Sequence, residues 1–399
     1  MTQKQLKDEL MNELTGRILP FWSGMQDDEN GGFYGQYTYN HQLVKDADKG
    51  GILHSRILWF FSRAYELLSD PEILRQADHA YEFIRDVCID KEKDGMFWSV
   101  TFDGKPADTT KHTYNQAFAI YGLSQYYLVT KKKEALDLAM NLYHLVESKC
   151  RDEQGYLEAF DRKFKPAGNE KLSENGVEAS RTMNTTLHVF EAYTVLFRAS
   201  GNPEVKEKME EMLDTFLYKI YNPMKKRQEV FFDNKWNSII DLYSYGHDIE
   251  TTWLVDLGLD VLGDSKHFEE FAKVNDDMVE QLYVEAYNGH SFYDECCKGI
   301  QSHKKIWWVQ SETMVGYYQA FTKHPKQTKY LDVVMNVWEF IKNNLIDTRP
   351  DSEWLGELNE NNEPNREHDI VGMWKCPYHN GRMCIELIER ISLAIGEKI

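Results

Sequence analysis

Positive charge is in short supply in this chain. Its 399 residues carry 46 Lys and Arg against 65 Asp and Glu, a net charge of -19 at pH 7. Binding a polyanion requires clustered cations that displace condensed counterions, so this balance argues against a nucleic-acid partner. No run of about eighteen apolar residues occurs, so nothing reads as a membrane-spanning helix. The stretch MTQKQLKDELMNELTGRILPF is charged and has no signal-peptide apolar core. The six cysteines, Cys88, Cys150, Cys296, Cys297, Cys376 and Cys384, form no CxxC pair, which argues against a zinc ribbon or a dithiol redox motif. Free thiols in an acidic chain fit a reducing cytoplasm, where the sequon at Asn184 is a chance match. Neither GxGxxG nor GxxxxGK[ST] occurs in a fitting context, so no nucleotide or redox cofactor is indicated. No linker rich in Pro, Gly or Ser divides the chain, and residues 1–399 read as one domain.

Aromatic residues are plentiful, at 13% with 10 Trp and 23 Tyr. Many belong to a core, but flat aromatic faces also suit the C–H faces of pyranose rings. They recur in a pattern: a polar turn, a Gly or Trp, then aromatics. It occurs as DENGGFYG, EKDGMFWSV, RDEQGYLEAF, KRQEVFFDN, AYNGHSFYDE and PDSEWLGEL, about sixty residues apart. Two stretches of helix length lie between consecutive turns, for example 50–69 and 71–90. Pro71 after Ser69-Asp70 marks a helix start, and GNPEVKEKM at 201 repeats that signal. The first helix of each pair is the more apolar, and the second carries Lys and Glu on one face. An inner and an outer ring follow, so the expected fold is an all-α (α/α)6 barrel of six helix pairs with short hairpin loops at one end. An open α-solenoid is the competitor, but it needs polar capping repeats, and the last helix, CIELIERISLAI, is apolar.

On that frame Arg56, Tyr114, Asn184, His188, His247, Glu250, Trp307, Trp308, Glu312 and His379 all fall near the amino ends of inner helices. A closed barrel brings those ends to one mouth, which makes a pocket of residues distant in sequence. His247 and Glu250, in YSYGHDIETTWL, stand three apart. A cap, a metal pair and a proton base all fit that spacing. A catalytic metal needs further ligands, which His188 and His379 can supply. The base reading fits better. Neutral imidazole works near neutral pH, a helix amino end opposes extra positive charge, and a carboxylate one turn away can fix the tautomer. With a second histidine, one base removes a proton from carbon and the other returns one to the opposite face, an epimerisation. Arg56, Tyr114, Asn184 and His188 are suitable donors to the sugar oxygens. Structural readings stand beside these: His188 as a core histidine, Arg56 in an ion pair, and Trp307 and Trp308 about 100° apart on a helix, so that at most one need face a cleft. His79, His144, His267 and His324 read as structural or solvated.

The segments HSRILWFFSRAY, NTTLHVFEAY, YGHDIETTWL, WWVQSE and WKCPYHNGRMC together resemble the N-acylglucosamine 2-epimerase superfamily, in its cellobiose 2-epimerase branch. That resemblance implies the (α/α)6 barrel, and with the proton-base reading above the expectation is no metal and no cofactor. It matches His247 and His379 to the pair that moves the C2 proton, Glu250 to the carboxylate supporting His247, and His188 to a third histidine aiding ring opening. Arg56, Tyr114 and Asn184 match residues that hold oxygens near C1 to C3. Trp308 and Trp374 match platforms under the reacting glucose and the second sugar, and Glu312 is a weaker match. The implied partner is a β-1,4-linked disaccharide, acted on by a cytoplasmic monomer or weak dimer. A monosaccharide epimerase or mannose isomerase of the same superfamily, a glycoside hydrolase using Glu250 with Glu312 or Asp369, and a non-catalytic helical scaffold are the alternatives.

Overall fold

The computed structural model describes residues 1–169, 171–172 and 176–397. Helix α1 (Gln3–Glu13) starts at Thr2, whose hydroxyl accepts the Gln5 N–H while the Gln5 side chain accepts the Thr2 N–H. It runs through a π turn, Leu14–Ile18, into α2 (Leu19–Gly24). Five helix pairs follow: α3 (Gly51–Leu68) with α4 (Pro71–Phe83), α5 (Thr113–Thr130) with α6 (Lys133–Lys149), and α7 (Met183–Ser200) with α8 (Pro203–Thr215). Then come α9 (Tyr245–Leu262) with α10 (Phe268–Glu285), α11 (Trp307–Lys323) with α12 (Thr328–Phe340), and finally α13 (Tyr378–Ile395).

The expected inner and outer rings are present. Every residue of α3 from Gly51 to Ala64 is buried, whereas α4 buries a stripe of Ile73, Gln76, Ala77, Ala80, Tyr81 and Phe83. A helix apolar on all sides must be enclosed, and a one-sided helix must cover it. The inner helices pack in sequence, α3 on α5, α5 on α7, α7 on α9, α9 on α11, and α11 on α13, and α13 returns to α3. That closes the (α/α)6 barrel and rules out the open solenoid. The sixth pair unites the two ends of the chain, because α1 packs on α13.

The two ends of the barrel are built differently. At one end, inner and outer helices are joined by tight turns. Ser69 and Gly201 turn left-handed, at φ 55° and 63°, after α3 and α7. Asp70 and Asn202 then cap the next helix by accepting the N–H groups of Glu72 and Glu204.

At the other end lie the six aromatic turns, and buried cations hold several of them. Asp27 accepts the N–H groups of Glu29 and Asn30, and Gly31 follows at φ 78°. Lys49, two residues before α3, reaches the Asp27 carboxylate at 2.7 Å and the Gly31 carbonyl at 2.6 Å. Asp90, Gly95 and Lys111 repeat the arrangement before α5, and Asp152 with Arg181 does so before α7. The lead-ins to the inner helices also pair antiparallel with the loop that follows. Lys49–Gly50 pairs with Ser99–Val100, Lys111–His112 with Ala159–Phe160, Arg181–Thr182 with Phe231–Phe232, Leu242–Ser244 with Glu295–Cys297, and Lys305–Ile306 with Glu357–Leu358. A bridge between Tyr37 and Val371 completes this second, extended ring. It fixes where the first turns of the inner helices stand. Among the described residues no helix is long and apolar enough to cross a membrane.

His54 gives the fold a measurable acid limit. Its Nδ1 lies 2.8 Å from the Gly50 carbonyl and its Nε2 accepts the Phe33 N–H at 2.9 Å. Protonating Nε2 would set two N–H groups against each other, and burial lowers the pKa from 6.5 to about 3. Between those values the unfolded chain binds a proton that the folded chain does not. The stability due to this group is therefore complete above about pH 6.5 and is lost as pH falls toward 3. Replacing it by His54→Gln should flatten the pH dependence of the unfolding free energy between about pH 4.5 and 6.5. The change is up to about 1.4 kcal/mol per pH unit, read from urea unfolding curves.

Candidate active site

A cavity of about 220 Å³ opens among the amino ends of the inner helices, lined in part by Arg56, Tyr114, Asn184, His188, His247, Glu250, Trp307, Trp308, Trp374 and His379. Helix periodicity sorts these residues into two layers. Tyr114, Asn184, His247, Trp308 and His379 are the second or third residues of α5, α7, α9, α11 and α13. Arg56, His188, Glu250, Glu312 and Arg382 are the fifth or sixth residues of α3, α7, α9, α11 and α13, one turn deeper. The first layer forms the walls and the second the floor.

In the walls, the Trp308 ring touches both histidines, with centroids 4.7 Å from His247 and 5.5 Å from His379. Trp307 stands edge-on to His379 at 6.2 Å. Both tryptophans line the cavity, where the 100° spacing alone needed at most one to do so; they are the first two residues of α11, and the cavity reaches around that helix start. Trp374 lies edge-on to Trp98 and Tyr114, at 5.7 and 5.8 Å. Arg56 donates to the Tyr114 hydroxyl at 2.8 Å, and its guanidinium lies over the Phe118 and Tyr378 rings. Asn184 presents a side-chain oxygen with no protein partner.

The floor is organised by Arg382. Its Nη1 donates to Glu191 and to the Tyr378 hydroxyl, and its Nη2 donates to Glu250 and, at 2.7 Å, to Glu312. Two of these carboxylates hold histidines. Glu191 lies 2.8 Å from His188 Nδ1, and Glu312 lies 2.7 Å from His379 Nδ1. Trp253 donates to the other Glu312 oxygen at 3.0 Å. Glu312 is thus not in the cavity wall but directly behind His379.

His247 is supported differently from the sequence expectation. Its Nδ1 bonds the Ser244 hydroxyl at 2.6 Å, while Glu250 spends its hydrogen bond on Arg382. The three-residue spacing puts Glu250 one turn below His247, within 4.8 Å of a ring nitrogen but making no hydrogen bond to it. The same spacing closes properly at His188 and Glu191. Applying it to every histidine would have found Glu191, and Tyr378 and Arg382 lie inside the segment WKCPYHNGRMC. Ser244, inside YSYGHDIETTWL, and Val230 and Phe231, inside the aromatic turn KRQEVFFDN, also line the cavity, as do Thr182, Lys171 and Leu172, which no sequence signal marked.

Burial dominates the electrostatics. It lowers His247 to about 3, with the nearby His188 and the Arg56 cation acting in the same direction. It takes His379 well below the usual imidazole value, with Arg56 and Arg382 acting in the same direction. Burial also pushes Glu191 up, but Arg382, His188 and Tyr378 outweigh it and hold the carboxyl at about 2. Glu250 goes the other way, raised by burial and by the neighbouring Glu312. Two sets of donor atoms lie within 4.8 Å of one another, His188 with His247 and Glu250, and Glu250 with Glu312 and His379. Both sets include Glu250, which already accepts from a guanidinium. That cation opposes a divalent ion at the same oxygens.

The model of the family described as N-acylglucosamine 2-epimerase (GlcNAc 2-epimerase) matches residues 32–380. The cellobiose 2-epimerase of Ruminococcus albus is 47% identical over 382 residues, covering 96% of this chain and 98% of that one. The structure of cellobiose 2-epimerase from Bacillus thermoamylovorans superposes with a TM-score of 0.94 at 42% identity, covering 97% of this chain and 100% of that one. A sugar epimerase from a ruminal bacterium gives 0.95 at 47% identity, covering 96% and 99%.

Removing Arg382 leaves the buried carboxyl groups of Glu191, Glu250 and Glu312 without their common cation. Arg382→Leu should lower the unfolding free energy by about 3–5 kcal/mol and activity by about 100-fold or more. Arg382→Lys should restore little of either, because one ammonium cannot fork across the three. Chemical denaturation and initial rates measure both.

Proposed function

The chain belongs to the N-acylglucosamine 2-epimerase family, and on that premise we propose that it inverts C2 of the reducing-end glucose in β-1,4-linked disaccharides. Cellobiose becomes glucosyl-mannose and lactose becomes epilactose. The observation that carries this reading is the placement of His247 and His379 against the same Trp308 ring, in one cavity floored by Arg56, His188 and Glu250.

The reaction needs ring opening, removal of the C2 proton and its return to the other face. Arg56 from the floor and Tyr114 from the wall above it present a guanidinium and a phenol side by side, suited to an aldehyde oxygen on which negative charge develops as C2 loses its proton. His188, buried and held by Glu191, is placed to move a proton at the ring oxygen or the C1 hydroxyl. Neutral imidazoles at His247 and His379 are bases toward the acidified C2–H. Each ring is fixed from its Nδ1 side, His247 by Ser244 and His379 by Glu312, which leaves Nε2 to face the sugar. Trp308 supplies a flat face to the reacting glucose, and Trp374, outside Tyr114, one to the second sugar.

The hydrolase alternative lacks its carboxylate pair. A retaining or inverting enzyme sets two carboxyls on opposite sides of the scissile bond, about 5–9.5 Å apart. Glu250 and Glu312 lie within 4.8 Å on one guanidinium in the floor, and Asp369 accepts from Gln36 in a loop.

With cellobiose in heavy water, deuterium should enter C2 of the product, no free glucose should form, and a chelator should leave the rate unchanged. His247→Ala and His379→Ala should each cut turnover by about 100-fold or more. Cellobiose and N-acetylglucosamine, assayed side by side by NMR, separate the disaccharide reading from the monosaccharide one. Product without deuterium at C2 would overturn the proton-transfer mechanism.

A further inference from the structure

The donors in the floor of the cavity are unequally divided. Glu191, Glu250 and Glu312 all accept from the one guanidinium of Arg382, and all four side chains are buried. Glu191 receives Arg382 Nη1 and the Tyr378 hydroxyl, and pairs with His188 Nδ1. Glu312 receives Arg382 Nη2 and Trp253 Nε1, and pairs with His379 Nδ1. Glu250 receives only Arg382 Nη2, which it shares with Glu312, and its Oε2 is buried with no partner at all. An ionised carboxylate needs donors on both oxygens when water is excluded, whereas a carboxylic acid can carry its own hydrogen on the bare one. Glu250 also occupies the centre of the site. It belongs to both sets of atoms gathered within 4.8 Å, one containing His247 and the other His379.

We propose that Glu250 rests as a neutral carboxylic acid, its proton on the unpartnered Oε2, and is the proton store for the epimerisation proposed above, on which this inference rests. The proton balance closes over one cycle. Glu250 gives its proton to one imidazole and becomes a carboxylate. The other, neutral imidazole takes the C2 proton, and the C–H electron pair moves into the enediolate. The first imidazolium returns a proton to the opposite face of C2. The second passes its proton back to Glu250, and both rings end as they began. A water or a sugar hydroxyl spans any gap beyond direct hydrogen-bond reach. Burial raises both Glu250 and Glu312, but Arg382 and Trp253 oppose it at Glu312, which is bonded on both oxygens, so the proton is placed on Glu250 with its bare Oε2. Burial and nearby cations hold both His247 and His379 neutral, so without such a store the site has no proton to return to carbon.

Infrared difference spectroscopy with Glu250→Gln tests this. Glu158 and Asp248 are also buried carboxyls pushed up to about 7, so the assignment rests on the acid carbonyl band that vanishes with this substitution. The expected result at neutral pH is one such band, weakened in the wild-type enzyme when cellobiose is added. Epimerisation by the variant should fall about 100-fold or more, while deuterium from heavy water still enters C2 of unconverted cellobiose, because proton removal survives. Glutamine keeps an acceptor for Arg382 and adds an N–H. If Glu250 merely braces the site, the variant epimerises at the wild-type rate and no acid band is lost, which overturns the proposal. Should the variant not fold, the wild-type response decides alone, since an acid spectrum that substrate leaves unchanged is equally fatal. A wild-type enzyme inactive on every sugar would sink the function itself, whereas an active one with no substrate-sensitive band sinks only this role.

Discussion

A single buried guanidinium holds the site together. Arg382 binds carboxylates from α7, α9 and α11 while itself projecting from α13, so four of the six inner helices meet at one charge. Burying so many ionised groups is unfavourable unless each finds a partner, and the desolvation cost is offset only by close geometry. That requirement makes the arrangement specific. Glu191 and Glu312 are held where they can grip His188 and His379 from behind. The orientation of two rings in the cavity thus follows from the position of a cation they do not touch.

The barrel converts this into a pocket through helix geometry. Inner helices that all begin at the same level place their first-turn side chains in the walls and their second-turn side chains in the floor. That common level is set by the ring of short antiparallel pairings and by the cations before the helices, such as Lys49 and Lys111, which tie each lead-in to the turn before it. The carboxyl groups of the floor can therefore be dry, with Glu191 and Glu312 partnered on both oxygens, while the aromatic walls stay open for a sugar. The opposite end, closed by left-handed residues and capped prolines, carries no such constraint.

Much of the site was legible before the fold was seen because it is periodic. A residue type at a fixed distance from the start of a helix needs only the helix to be recognised, and Tyr114, Asn184, His188, His247 and His379 were found that way. The pairings among them were less legible. His247 and Glu250 have the same spacing as His188 and Glu191, yet only the second pair is joined, because Arg382 draws Glu250 away and Ser244 reaches His247 first. Trp307 and Trp308 point in different directions from one helix, and both meet the cavity because it wraps around the start of α11.

The sequence by itself determined the helices, their alternation between enclosed and one-sided, the six aromatic turns and the chemical types gathered at the helix starts. These are local properties, written in caps, periods and residue type. Only the tertiary structure decided that α1 completes the sixth pair with α13, that Glu191, Glu250 and Glu312 share one cation, and that Glu250 is left with a bare oxygen. Those outcomes depend on distances between segments up to about 190 residues apart, where a charge takes the partner that closure of the ring brings nearest, and no local pattern encodes that choice.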